Sequence, residues 1–134
     1  MKVYLSCPII KGRRLRMARR LYDVLSIAGT DVVSEWLVKK DPGFGLPPEK
    51  VYARDTEGIR TADILVADVS RPSHGVGMEI MLALMLNKPI VAVAPRRARL
   101  SRMLLGAPKI TWIRYPDIRS LERRIKRAIS AYPS

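Results

Sequence analysis

Three residues break the local pattern around them, and each has a side chain able to do chemistry. Glu79 is the one charged residue in the apolar stretch 78–86 and follows closely on Gly75 and Gly77. A glutamate at a helix start often only meets the positive end of the helix dipole, or closes a capping box, for which Val76 would be a poor cap. The same placement suits a carboxylate held ionised at the mouth of a cleft, with glycines that let a ligand approach the backbone. An ionised carboxylate at a sugar-sized site can act as a nucleophile. Asp55 is the second residue. The helical stretch beginning at 48 has an apolar stripe through Val51, Ile59 and Ala62, and Asp55 falls on it at the i+4 step. Arg54 and Arg60 stand at i−1 and i+5, spacings that share a helix face poorly. The acid is therefore expected to point inward and to need a partner or a raised pKa. Two carboxylates converging on one cleft match glycosidic-bond chemistry, one ionised as nucleophile and the other protonated as general acid. Tyr4 is the third. It is either a core aromatic with a satisfied hydroxyl or a site residue bonded to Glu79.

The segment 70–77 adds a different capacity. Ser70 and Ser73 with Gly75 and Gly77 make a donor-rich loop ahead of a helix, an arrangement that favours an anion such as phosphate. No Gly-Lys-Ser/Thr follows, so it is no P-loop, and Ser-Pro-Gly loops are also ordinary turns. Asp63 and Asp68 flank the preceding apolar run and are read as structural or capping acids.

These residues need elements to position them. Apolar strand-like runs are expected at 2–7, 31–34, 64–69, 89–93 and 110–113. Helices are expected over 13–28, 48–61, 78–86 and 117–131, with Gly29 placed to stop the first. The stretch 36–48, rich in Gly and Pro and carrying Lys39 and Lys40, reads as a loop. Alternating strands and helices in a chain of 134 residues predict one α/β domain over 1–134: a flavodoxin-like parallel five-stranded sheet, order 2-1-3-4-5, with helices on both faces. That order puts the switch point between strands one and three, where the loops 8–14 and 70–77 meet.

Composition narrows the chemistry. Cys7 is the single cysteine and His74 the single histidine, which leaves no intrachain disulfide, cysteine-based zinc site or multi-histidine metal site. No metal or redox cofactor is expected. No apolar run approaches the ~20 residues of a membrane span, and Lys11, Arg13 and Arg14 arrive too early for a signal peptide. A reduced, cytoplasmic compartment is expected. The absence of Gln, the single Asn87 and 17 Arg against 8 Lys resemble a thermophile's composition. The formal charge of +13 first points to a polyanion.

The motifs together resemble the nucleoside 2-deoxyribosyltransferase family, and look most like its 2'-deoxynucleoside 5'-phosphate N-hydrolase branch. The resemblance is carried by Val3-Tyr4-Leu5-Ser6-Cys7-Pro8-Ile9 with Gly12-Arg13, by Asp55, by the run 62–70, by Pro72-Ser73-His74-Gly75-Val76-Gly77-Met78-Glu79-Ile80 and by Lys88-Pro89-Ile90. It implies a Rossmann-like sheet and a role for each matching residue. Glu79 matches the nucleophile, Asp55 the acid that assists departure of the base, and Tyr4 the tyrosine that orients the nucleophile. Gly75 and Gly77 match glycines of the sugar site, Cys7 and Ile9 belong to the first substrate loop, and Trp36 lies where a side chain flanks the base. Ser73 matches the serine that binds a 5'-phosphate, where the transferases usually have an Asp. An acid there would repel a phosphate. Ser101 resembles the serine that reaches into a neighbouring subunit's phosphate site, which implies a homodimer. Ile10 stands where the hydrolases tend to have an arginine, which leaves Lys11 or Arg13 to supply the countercharge next to Gly12.

The expected activity is hydrolysis of a nucleoside 5'-monophosphate to free base and (deoxy)ribose 5-phosphate. Transfer of the sugar to a second base is the alternative at the same site. A basic nucleotide-sensing or nucleic-acid-binding module is the alternative of another class. It is disfavoured because only 6% of residues are aromatic and the basic residues lack interleaved stacking rings. The basic run near the C-terminus reads as a solvated helix face, and the general positive field as an aid to nucleotide capture.

Overall fold

The computed structural model describes residues 1–10 and 15–133. Five strands, β1 (Lys2–Ser6), β2 (Asp31–Val32), β3 (Ile64–Asp68), β4 (Ile90–Pro95) and β5 (Ile110–Tyr115), form one sheet in the order β2-β1-β3-β4-β5. Every neighbouring pair is parallel, with Tyr4 opposite Leu65 and Ser6 opposite Ala67. The expected order and direction are therefore those observed. The central strands explain why. All five residues of β3 and the first five of β4 are buried, as happens when helices cover both faces of a parallel sheet.

Those helices are α1 (Leu15–Ile27), α2 (Pro48–Thr61), α3 (His74–Met85), α4 (Arg102–Leu105) and α5 (Ile118–Ser130). On one face, Leu21 and Leu25 of α1 and Leu121 and Ile125 of α5 pack with Val3, Leu5, Val66 and Val91. On the other, Ile59 of α2 and Ile80 and Ala83 of α3 pack with Tyr4, Leu65, Ala67 and Ala92. Because strand side chains alternate between faces, β1 sends Val3 and Leu5 to the α1/α5 layer and Tyr4 and Ser6 toward α2 and α3. That alternation puts hydroxyls, not methyls, under the helices that carry Asp55 and Glu79.

Several boundaries differ from expectation, each for a local reason. β2 is two residues rather than four. Past Val33, the hydroxyl of Ser34 takes over the ladder, accepting from Leu5 N at 2.8 Å and donating to Leu5 O at 2.7 Å. A 3-10 turn, Glu35–Val38, begins one residue before the expected loop and forms its start. β4 and β5 each run two residues further, and α4, capped by Ser101, was not anticipated. α3 starts at His74, four residues before its expected start. Ser73 is its N-cap, in extended conformation, and accepts from Val76 N at 3.3 Å. That capping bond outweighs the low helix propensity of Gly75 and Gly77. Gly29 ends α1 as expected, with a left-handed φ of +84°. The far end of α2 is tied down by Lys88, whose ammonium donates to the carbonyls of Arg60 and Ala62 at 2.8 and 2.7 Å. No helix among the described residues is long and apolar enough to cross a membrane.

Candidate active site

Tyr4 and Ser6 meet Glu79 at the C-terminal end of the sheet, beside the β1/β3 switch point. The Tyr4 hydroxyl donates to Glu79 Oε2, and Ser6 Oγ donates to Glu79 Oε1 at 3.0 Å. Both carboxylate oxygens are thus gripped by side chains two residues apart on one strand. Glu79 sits one turn inside α3 rather than in its first turn, so the helix dipole, which fades beyond the first turn, is not its chief support. The two hydroxyls and nearby charge are. Burial pushes the Glu79 carboxyl up to about 7; the charge of Asp55 adds to this, while the bonds from Tyr4 and Ser6 and the Arg54 charge oppose it. Burial, Glu79 and Asp55 also hold the Tyr4 phenol far above its ordinary value. Tyr4 is therefore a standing donor.

Asp55 projects from α2 and is half-buried. Its Oδ1 accepts from Arg54 Nε at 2.9 Å. This corrects the expectation that Arg54, at i−1, would share the face poorly. The guanidinium folds back because it stacks on the Trp36 ring, with its carbon 4.2 Å from the ring centroid, and donates to Pro42 O at 2.9 Å. Burial raises the Asp55 pKa, and the bond and charge of Arg54 oppose that rise. Gly58 allows this side of the site to close. A Cβ there would stand 2.9 Å from the Tyr4 ring, so any side chain would push against the residue that holds Glu79.

Asp55 and Glu79 line one cleft of about 480 Å³, together with Ile9, Gly75 and the apolar walls Phe44 and Ile59. A second hollow of about 880 Å³ borders the start of α3 and is lined by Ser73, Gly77, Ser101, Arg71, His74 and Arg99, among others. So the structure brings Tyr4, Asp55 and Glu79 together with Ile9 and Gly75. Ser73, Gly77 and Ser101 instead line the second hollow, not the cleft that holds the two carboxylates. Cys7 is buried just past the end of β1. Gly75 and Gly77 are helical rather than loop residues, and a Cβ at either would meet nothing within 4 Å, so they leave open space at the helix start. Trp36 stands edge-to-face with Tyr4, centroids 6.1 Å apart, with Arg54 over its ring. The aromatic rings bordering the cleft are Phe44 and Tyr52 instead. Lys11, Gly12 and Arg13 lie outside the described residues. Sequence reasoning passed over Ser6, Gly58 and the contacts of Arg54. Of these, only Ser6 carried a signal, being two residues from Tyr4 on one strand. Among the described residues no three His, Cys, Asp or Glu side chains are grouped to hold a metal ion.

Comparison with known proteins bears on the family and the fold. Residues 3–121 match the family model described as nucleoside 2-deoxyribosyltransferase. A protein of Syntrophotalea carbinolica named "Putative 2'-deoxynucleoside 5'-phosphate N-hydrolase 1" is 39% identical over 128 residues, covering 90% of this chain and 89% of the relative. The mouse 5-hydroxymethyl-dUMP N-hydrolase is 44% identical over 59 residues, 42% of this chain and 34% of that protein. The solution structure of BlsM superposes with a TM-score of 0.75 at 23% identity, covering 99% of this chain and 95% of the other, a likeness of fold.

Proposed function

Because the chain belongs to the nucleoside 2-deoxyribosyltransferase family, we propose that it hydrolyses the N-glycosidic bond of (2'-deoxy)nucleoside 5'-monophosphates. The observation that carries the reading is the pair of carboxylates on one cleft, with Glu79 held at both oxygens. Glu79 attacks the anomeric carbon as its bond to the base nitrogen breaks, and the bonding pair leaves with the base. Asp55, whose pKa burial raises, gives that nitrogen a proton. The resulting glycosyl ester on Glu79 is opened by water at the same carbon. The water's proton passes to Asp55, and both carboxyls return to their starting states. Tyr4 stays protonated throughout and keeps Glu79 in line.

Ser73 supports a 5'-phosphate as the substrate's handle. Its oxygen accepts from Val76 N, so its hydroxyl proton is left to donate, at a helix start that favours anions. Lys11 or Arg13, beside Gly12, supplies countercharge, and Ile9 shapes the sugar end; Cys7, packed in the core layer with α1 and α5, only supports that loop from behind. The test is a panel of nucleoside monophosphates and matching nucleosides, with free base quantified. Base release from at least one monophosphate, well above that from its nucleoside, is expected. Release from neither, or equal release from both, would overturn the reading. Adding a second free base to the reaction separates hydrolysis from exchange. A nucleotide substrate also supports a cytoplasmic location.

The outer face of α3 supports a homodimer in which Ser101 serves the neighbouring subunit's phosphate site. Met78, Met81 and Met85 recur at i, i+3 and i+7 and stand exposed, Met85 at 74%, as does Met103 nearby. A row of exposed methionines marks an interaction surface. Light scattering should give twice the chain mass for the wild type. Met81→Asp with Met85→Asp should give monomers with much reduced base release. A monomeric wild type with full activity would exclude the shared site.

A further inference from the structure

Arg54 takes no part in the reaction just described, yet its guanidinium has three partners at once. Nε donates to Asp55, Nη2 donates to the carbonyl of Pro42, and the planar group lies over Trp36. The chain passes close beneath it. A Cβ on Gly43 would stand 3.0 Å from Nη1, and Gly43 has a φ of +134° that side-chain-bearing residues rarely adopt. The turn is stiffened by Asp41, whose carboxylate accepts from the amides of Gly43, Phe44 and Gly45 at 2.9, 2.6 and 2.9 Å. Pro42, Gly43, Phe44 and Leu46 are also walls of the cleft that holds both carboxylates. One side chain therefore joins the wall of the cleft to the acid inside it.

We propose that Arg54 is a positioning residue: a latch that fixes the cleft wall and the Asp55 carboxylate to each other and sets the charge balance of the carboxylate pair. Naming Asp55 as the acid rests on the N-hydrolase reading; the latch geometry does not. Among the described residues, the charged and titratable groups acting on the pair come from three elements. β1 supplies the protonated Tyr4, α2 supplies Asp55 and Arg54, and α3 supplies Glu79. Arg54 is the one cation of the set. A flat fork that bonds at two edges and stacks at its face does what an ammonium point charge cannot.

The test follows the carboxyl carbons of Asp55 and Glu79 by carbon-13 NMR across pH, with kcat/KM profiles beside them, in wild type, Arg54→Met and Arg54→Lys. Loss of the cation disfavours both carboxylates. In Arg54→Met both midpoints should therefore move up by about one pH unit, and the whole bell of kcat/KM should move with them. Arg54→Lys should bring the midpoints most of the way back while KM stays raised by about tenfold, because the wall is no longer latched. Midpoints in a folded Arg54→Met that match the wild type would reduce Arg54 to a structural brace and overturn the proposal. If Arg54→Met does not fold, Arg54→Lys decides alone, since an unchanged KM would overturn the latch. Should the wild type release no base at all, the N-hydrolase reading fails, and the NMR titration still decides the role of Arg54.

Discussion

Glu79→Gln should lower base release by at least about 10⁴-fold and, in the same protein, stabilise the fold above neutral pH. The loss of activity follows from the chemistry. Glutamine has nearly the same shape and keeps a carbonyl oxygen to accept from Tyr4 or Ser6, so the cleft stays intact. It offers no carboxylate to attack the anomeric carbon. The gain in stability follows from burial. The ordinary carboxyl value of 4.5 is raised to about 7 in the fold. Between these limits the folded protein holds a proton on Glu79 that the unfolded chain has released. Stability contributed at this position is therefore full below pH 4.5 and falls as pH rises toward 7. The gap corresponds to about 3 kcal/mol once the group is ionised. Glutamine carries no such cost. Urea unfolding at pH 4.5 and pH 8 should show the two proteins alike at the lower pH and the variant more stable at the higher. A stability difference that ignores pH, or base release near wild-type rates, would contradict the assignment.

In the proposed mechanism the cost has a catalytic meaning. Glu79 is expensive to ionise in a largely apolar cleft, and two hydroxyls from β1 are aimed at it in advance. Positive charge developing on the sugar ring in the transition state offsets what burial withholds in the ground state. On that mechanism, stability is lower at this position because the carboxylate is kept for the reacting carbon rather than for water.

Much of this was legible before any coordinates, and the reason differs from residue to residue. Glu79, Asp55 and Tyr4 stand out because each contradicts the apolar pattern of its own element, and a contradiction of local pattern is visible locally. The sheet order follows from strictly alternating elements, which leave few ways to cover both faces of a parallel sheet. The start of α3 was misplaced because Gly75 and Gly77 read as a loop, whereas the Ser73 cap decides where the helix begins. The Arg54–Asp55 pair was missed for a different reason. Spacing rules describe where a side chain leaves the helix, not where a long one ends. Arg54 ends where Trp36 and Pro42, 18 and 12 residues upstream, hold it. Gly58 is likewise intelligible only from the ring that lies against it.

Asp55→Asn should cost about 10²- to 10⁴-fold in kcat/KM on ordinary deoxynucleoside monophosphates, and far less on the monophosphate of a 7-methylated guanine nucleoside. The methylated base already carries the positive charge that protonation would confer, so it leaves without help from an acid. If Asp55 protonates the departing base, the wild-type advantage over Asp55→Asn should nearly vanish on that substrate at the glycosylation step, read as the burst of released base. A residue that only braced the cleft would slow both substrates by the same factor. The pH dependence gives an independent reading. Burial raises the Asp55 pKa and Arg54 limits the rise, so activity that needs its proton declines as pH climbs past that raised value. In Asp55→Asn the dependence on the Asp55 proton should vanish, leaving a single rise of activity with pH that reports ionisation of Glu79. The midpoint of that rise should lie below the value of about 7 that Glu79 has in the wild type, because the negative charge of Asp55 helps keep Glu79 protonated. A single rising limb at a lowered midpoint would tie the carboxylates into one titrating pair. Equal slowing of both substrates with an unchanged pH profile would leave Asp55 as scaffolding.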